Sequence, residues 1–129
     1  MEIFGTMVDR VVVPEGEYIA ELTACSEQAS IHGPVNKYEF RLIGEDGIDG
    51  RKVTGLTPTT MMENSKKARW GAALLGRVPE IGENIKMKDV LNKRCRVVVV
   101  HKTDDKGQVF ANVADVLPTS IPDDEDLTF

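Results

Sequence analysis

Aromatic residues are scarce in this chain, at 5% of 129 residues. Each of Phe4, Tyr18, Tyr38, Phe40, Trp70, Phe110 and Phe129 therefore needs its own account. Cysteine is scarcer still. Cys25 and Cys95 lie far apart and fit no metal-ligand spacing, so both are expected as buried free thiols in a reducing, cytoplasmic compartment. No apolar run approaches the roughly 18 residues of a membrane span. The opening MEIFGTMVDR has neither a basic n-region nor an apolar h-region, so no secretory signal is expected. There is no Walker glycine loop, no His-x-x-x-His pair and no Cys–His constellation, which argues against an enzyme and against any cofactor or metal. GEDGIDG, residues 44–50, holds acids near glycines. It lacks the alternating ligand positions and closing Glu of a calcium loop, and reads as a hairpin turn.

Length suits one domain, and 41% apolar residues suffice for one core. The net charge of −5 is unevenly spread. Residues 1–63 carry 5 basic and 11 acidic side chains, whereas residues 64–120 carry 11 basic and 6 acidic. The remaining four acids, Asp123, Asp124, Glu125 and Asp126, are consecutive. A low overall pI thus leaves room for a basic surface, although charge asymmetry between segments decides little alone.

Hydrophobic periodicity organises the rest. GEYIAELTAC, residues 16–25, alternates with Tyr18, Ala20, Leu22 and Ala24 on one face, which is strand patterning. Gly33-Pro34 marks a loop, and KYEFRLI, residues 37–43, alternates again. RKVTGLTPT, residues 51–59, reads as the returning strand, with an interior glycine that signals a bulge or bend. The period then changes. Asn64 or Ser65 is a plausible N-cap for a helix whose face gathers Ala68, Ala72 and Leu75, with Trp70 and Leu74 adjoining. Gly76 and Pro79 stop it. A loop and short turn lead to RCRVVVVHKT, residues 94–103, then a DDKG turn, then a last strand over residues 108–118.

Three strands, a helix and two strands predict an all-β domain with one helix: a five-stranded OB-fold barrel with its helix between the third and fourth strands. Residues 1–15 are expected as an arm or extra strand, 16–118 as the barrel, and 119–129 as a flexible acidic tail.

GEYIAELTA, KYEFRLIGEDGIDGRKV, SKKARWGAALLG, LNKRCRVVVVHKTDDKGQVFANVADVLP and the tail together resemble OB-fold single-stranded DNA-binding proteins, especially the small ones encoded by phages. The body motifs are loose hydrophobic patterns; the tail, DDEDLTF, is the more specific part. In that family an acidic segment closing on an apolar or aromatic residue docks into basic-rimmed apolar pockets of replication and repair proteins. This chain has Leu127-Thr128 where bacterial tails usually carry Ile-Pro, and almost no linker before the tail. The resemblance implies that Asp123, Asp124, Glu125 and Asp126 steer the tail to basic partners while Leu127 and Phe129 fill a pocket. The plainer reading is an acidic solubilising tail. Small members of the class often pair, and the arm around Phe4 and Val11 to Val13 is the segment expected to do it.

Single-stranded binding without sequence preference needs cations along the phosphates and flat groups against bases. Strands two and three would present Lys37, Arg41, Arg51 and Lys52. Tyr38 and Phe40 alternate with those cations, so the pattern favours the core for both, with Tyr38 kept in the candidate set. Phe110 is a stacking candidate beside Asn112. Trp70 either plugs one end of the barrel or meets a base, with Lys66, Lys67 and Arg69 nearby. Arg94 and Arg96 are expected to share an outward face. His32 and His101 read as solvated.

Two functions follow. The first is non-enzymatic single-stranded DNA binding in replication or recombination, with partners recruited by the tail. The second is an OB-fold protein-interaction or accessory module that binds no nucleic acid, which the acidic first half favours. A positive groove across strands two, three and five would support the first, and a patchwork of charge the second.

Overall fold

A computed structural model describes residues 2–5 and 12–119. The expectations for the acidic tail, Asp123 to Phe129, and for Val11 lie outside the described residues.

The elements follow the expected order. They are β1 (Gly16–Gln28), β2 (Val35–Ile43), β3 (Lys52–Pro58), α1 (Lys66–Leu75), α2 (Met87–Val90), β4 (Arg94–Thr103) and β5 (Val109–Leu117). The strands close into a barrel in the order β1-β2-β3-β5-β4. β3 and β5 run parallel and all other neighbours antiparallel. This is the five-stranded OB-fold arrangement, with α1 between β3 and β4. α2, a single turn, adds to the sequence expectation. Among the described residues, no helix is long and apolar enough to cross a membrane.

Alternation supplies the core. Ala20 and Leu22 of β1, Tyr38, Phe40 and Leu42 of β2, Cys95, Val97 and Val99 of β4, and Val113 and Val116 of β5 all point inward. The alternation breaks once in β1. A register shift between Leu22 and Ala24 turns Ala24 outward and Cys25 inward, the reverse of strict period two. Cys25 is thus only half-buried, while Cys95 is enclosed as expected, and both thiols are free. A second shift, between Val98 and Val99, adjusts β4 against β5. Such shifts coil strands strongly enough for a small barrel to close.

α1 starts at Ser65, whose hydroxyl accepts the Ala68 N–H at 3.1 Å, and ends at Gly76 in the left-handed region at φ 80. Its buried face is Trp70, Ala73 and Leu74, not Ala68, Ala72 and Leu75. The helix is rotated from the expected orientation because the indole, the largest fully buried side chain, dictates what faces the barrel. α1 packs chiefly against β5.

Gly55 shows why. A Cβ there would stand 2.8 Å from Trp70 Cη2 and 2.9 Å from Val113 Cβ. β3 carries no register shift against β2. The interior glycine therefore marks a close approach, and the bulge or bend expected from the sequence is absent at this pairing. Trp70 meets Tyr38 edge-on, with ring centroids 4.9 Å apart, and Phe40 at 6.3 Å. Its Nε1 has no hydrogen-bond partner among the described residues, so the ring is held without a hydrogen bond of its own.

Ahead of β1, Val13 is buried, and its carbonyl lies 2.8 Å from His101 Nε2. Glu15 Oε2 accepts the His101 backbone N–H at 2.8 Å. His101 is exposed, as the sequence suggested, and in addition pins this segment to β4.

Gly55→Ala is expected to destabilise the fold by about 1–3 kcal/mol, because neither a packed indole nor a β-branched neighbour yields cheaply. Chemical denaturation of the two proteins measures it.

Candidate nucleic-acid interface

The alternation that buries Tyr38, Phe40 and Leu42 turns Lys37, Glu39 and Arg41 outward on β2. On β3 the buried set is Val53, Gly55 and Thr57, which places Lys52, Thr54 and Leu56 on the same outer side. On β4 and β5 the corresponding positions are Val100, Lys102, Phe110 and Asn112.

Strand register links them into a row. Lys37 pairs with Leu56, Thr54 with Asn112, Asn112 with Val100, and Phe110 with Lys102. Leu56 and Phe110 are 43% and 38% exposed, so one aliphatic and one flat aromatic surface lie between lysines. Leu56 and Lys102 were not singled out from the sequence. The signal was present, since Leu56 sits at even spacing from Lys52, and Lys102 from Arg94 and Arg96.

Most other cations are engaged. Arg41 Nη2 lies 2.8 Å from Glu21 Oε1, a contact that raises the arginine's already high pKa. Lys52 Nζ lies 3.1 Å from Glu39 Oε2. Glu39 also accepts the Thr23 hydroxyl at 3.2 Å, and the lysine contact followed by the hydroxyl holds its carboxyl below the usual carboxylate range. Arg96 lies 2.7 Å from Glu17 and donates to the Pro118 carbonyl. Arg51 donates to the Gly47 carbonyl, capping the β2–β3 turn from within. Arg94 is exposed at the start of β4. The outer face of β1 to β3 thus alternates in sign over single side chains.

A second group of cations gathers around α1. Lys66 Nζ sits 4.9 Å from the Trp70 ring centroid. Partial burial lowers its pKa, and the positive charge of Lys102 lowers it further, against the attraction of Asp115. Lys67 donates to the Thr59 carbonyl at 3.0 Å, and Arg69 is exposed on the far side of the helix.

Two candidate rings are removed from any base-stacking role. Tyr38 and Trp70 are both enclosed, with no face open to a ligand. The cause is the same in each case: the indole fills the space over Gly55, and Tyr38 packs on its edge. The Tyr38 hydroxyl shares a hydrogen bond of 3.0 Å with Thr57 Oγ1. Burial pushes its pKa up to about 12, against the smaller opposing pull of that bond. Among the described residues, no group of three or more His, Cys, Asp or Glu side chains could hold a metal ion.

No protein-family model matches the chain, and no curated protein matches it in sequence.

Tyr38→Phe leaves the buried Thr57 hydroxyl without its partner, for an expected cost of about 1–3 kcal/mol. It also tests the titration. A folded pKa raised to about 12 means the neutral phenol stabilises the native state fully below about pH 10 and loses that contribution as pH rises through 12. Thermal melts across this alkaline window should fall less steeply for the variant than for the parent chain.

Proposed function

We propose that this chain binds single-stranded DNA with little sequence preference, in replication or recombination and in a phage setting, and that the acidic segment 123–126 with Leu127 and Phe129 recruits partner proteins. The observation that carries the reading is the row Lys37–Leu56, Thr54–Asn112 and Phe110–Lys102 across β2, β3, β5 and β4. A strand laid along it would meet a cation, an apolar platform, two hydrogen-bonding side chains, an aromatic platform and a second cation. That is the combination nonspecific single-strand binding uses, and this face of an OB barrel is a usual site for it.

Phosphate contact would come from Lys37 and Lys102, with Lys66 behind them. Stacking would fall to Phe110. Arg41 and Lys52 would contribute less, because their carboxylate partners must first be displaced or share the cation. The salt dependence should accordingly be that of a few phosphate contacts.

The same ion pairs favour a second reading, an OB-fold protein-interaction module that binds no nucleic acid. Glu21, Glu39 and Glu17 each sit on a cation that DNA would need. Alternating charge suits a protein partner of matched pattern better than a uniform polyanion.

Fluorescence anisotropy with a labelled poly-dT oligonucleotide at several salt concentrations, with duplex competitor, separates the two. The first reading expects salt-sensitive binding that prefers single strands and strengthens in a chain ending at Ser120. Phe110→Ala should weaken it by about 5- to 150-fold, the worth of one stacked base. Replacing Glu21 and Glu39 by Gln should strengthen it. Absence of binding by either length of chain at low salt would leave the protein-interaction reading.

A further inference from the structure

A groove of about 430 Å³ runs along the outer side of α1. Its floor is Ala68 and Ala72, one helical turn apart and small enough to leave room above the helix. Met61 and Met62 form one wall, and Val78 and Ile81 the other. Met62, Val78 and Ile81 are 67%, 81% and 83% exposed. An apolar cleft of this size, open to solvent, is the kind of surface that marks an interaction site.

Both walls are fixed by the chain itself. The Met62 N–H donates to Ser65 Oγ at 3.2 Å, and the Ser65 N–H donates to the Met62 carbonyl at 3.0 Å. Met61 reaches over the helix, where its Cε would stand 3.2 Å from a Cβ built on Gly71. On the other side Gly76 ends α1 in the left-handed region, and Arg77 grips Glu83 with both guanidinium nitrogens, Nη1 reaching Oε1 at 3.0 Å. The same Oε1 accepts the Glu80 N–H at 3.0 Å, and the Glu83 N–H donates to the Glu80 carbonyl at 3.0 Å. Val78 and Ile81 are therefore carried on a tied loop that holds them out in solvent.

Charge and backbone chemistry select the occupant. Three carboxylates, Glu63, Glu80 and Glu83, line the groove against one cation, Arg69. Arg77 takes up Glu83, while Glu63 and Glu80 form no salt bridge among the described residues. That rim repels phosphate, anionic lipid and the four consecutive acids of residues 123–126, and it favours apolar groups flanked by Lys or Arg. No strand lines the groove, so an extended peptide would find no ladder to join. A helix satisfies its own main-chain groups and needs only side-chain contact. The two alanines let such a helix approach closely, and the flexible methionines adapt to its shape.

We infer that the α1 groove docks an amphipathic helix of a partner protein, apolar on the face that enters and carrying lysine or arginine beside it. The groove shares no residue with the row across β2, β3, β5 and β4, and this docking does not depend on nucleic-acid binding.

Selection from a displayed library of random peptides about 18 residues long, five helical turns, tests it. The bait is the full chain, with counter-selection against a variant carrying Val78→Ser and Ile81→Ser. Both side chains are exposed, so the variant's thermal melt should match the parent's. The recovered sequences are expected to place apolar residues at i, i+3 or i+4, and i+7, with Lys or Arg flanking them. By fluorescence anisotropy, the synthesised peptide should bind this variant at least about a hundredfold more weakly than the parent, from two apolar side chains no longer buried. Glu63→Gln with Glu80→Gln should weaken it by about 2- to 30-fold, the worth of two exposed ion pairs, and added salt should shrink that difference. Recovery of no peptide overturns the proposal. So does a consensus that lacks helical spacing or is acidic, a peptide that the Glu63→Gln, Glu80→Gln variant binds as tightly as the parent, or one that a poly-dT oligonucleotide displaces.

Discussion

The contact of Trp70 with the backbone of Gly55 is the constraint on which the barrel depends. The indole stands so close to β3 that only a residue without a side chain fits beneath it. That one approach seats α1, orients Tyr38 and Phe40 around it, and fixes which helical residues are left outside. Lys66 is carried over the ring face, while Ala68 and Ala72 become the outer surface of the helix. The edge-on aromatic geometry suits rings that cannot all lie parallel in so small a space. The indole Nε1 lacks a partner among the described residues, a local cost of about 1–3 kcal/mol that the surrounding packing has to offset.

Charge is organised at short range. Arg41 answers Glu21 across the β1–β2 pair, Arg96 answers Glu17 across β1–β4, and Lys52 answers Glu39 across β2–β3. Solvent-exposed pairs of this kind add little stability, roughly 0–1 kcal/mol each. Their larger effect is on the field outside the barrel, which they break into neighbouring dipoles. Only Arg96–Glu17 joins residues 1–63 to residues 64–120, and the other two neutralise opposite charges within residues 1–63.

Much of the fold was legible in the sequence because the features that fix it are local. Ser65 and Gly76 bound α1 through their own backbone and side-chain chemistry, and alternation placed β4 at its observed ends. What escaped depends on distant partners. The shift after Leu22 that sends Cys25 inward comes from pairing with β2, and no residue type at that point announces it. The role of Gly55 depends on a tryptophan 15 positions later. The ion pairs on Arg41 and Lys52 join strands whose register must be known first. Of the candidate site, the outward lysines and Phe110 were readable from period two. The enclosure of Tyr38 and Trp70 follows from packing, although alternation had already pointed Tyr38 inward. Leu56 was overlooked for a simpler reason: an apolar residue in a strand is assumed to belong inside.

The barrel is closed unevenly. β3 and β5 meet through the single pair Thr54 and Asn112, where every other junction runs over many residues. Among the described residues, no further β3–β5 pair extends the ladder beyond it. α1, with Trp70 at its centre, packs against both strands beside this junction. In this reading the helix is a latch on the least stitched margin of the sheet. Displacing it would offer two strand edges at once, which is the template that extended peptides and misassembling chains use.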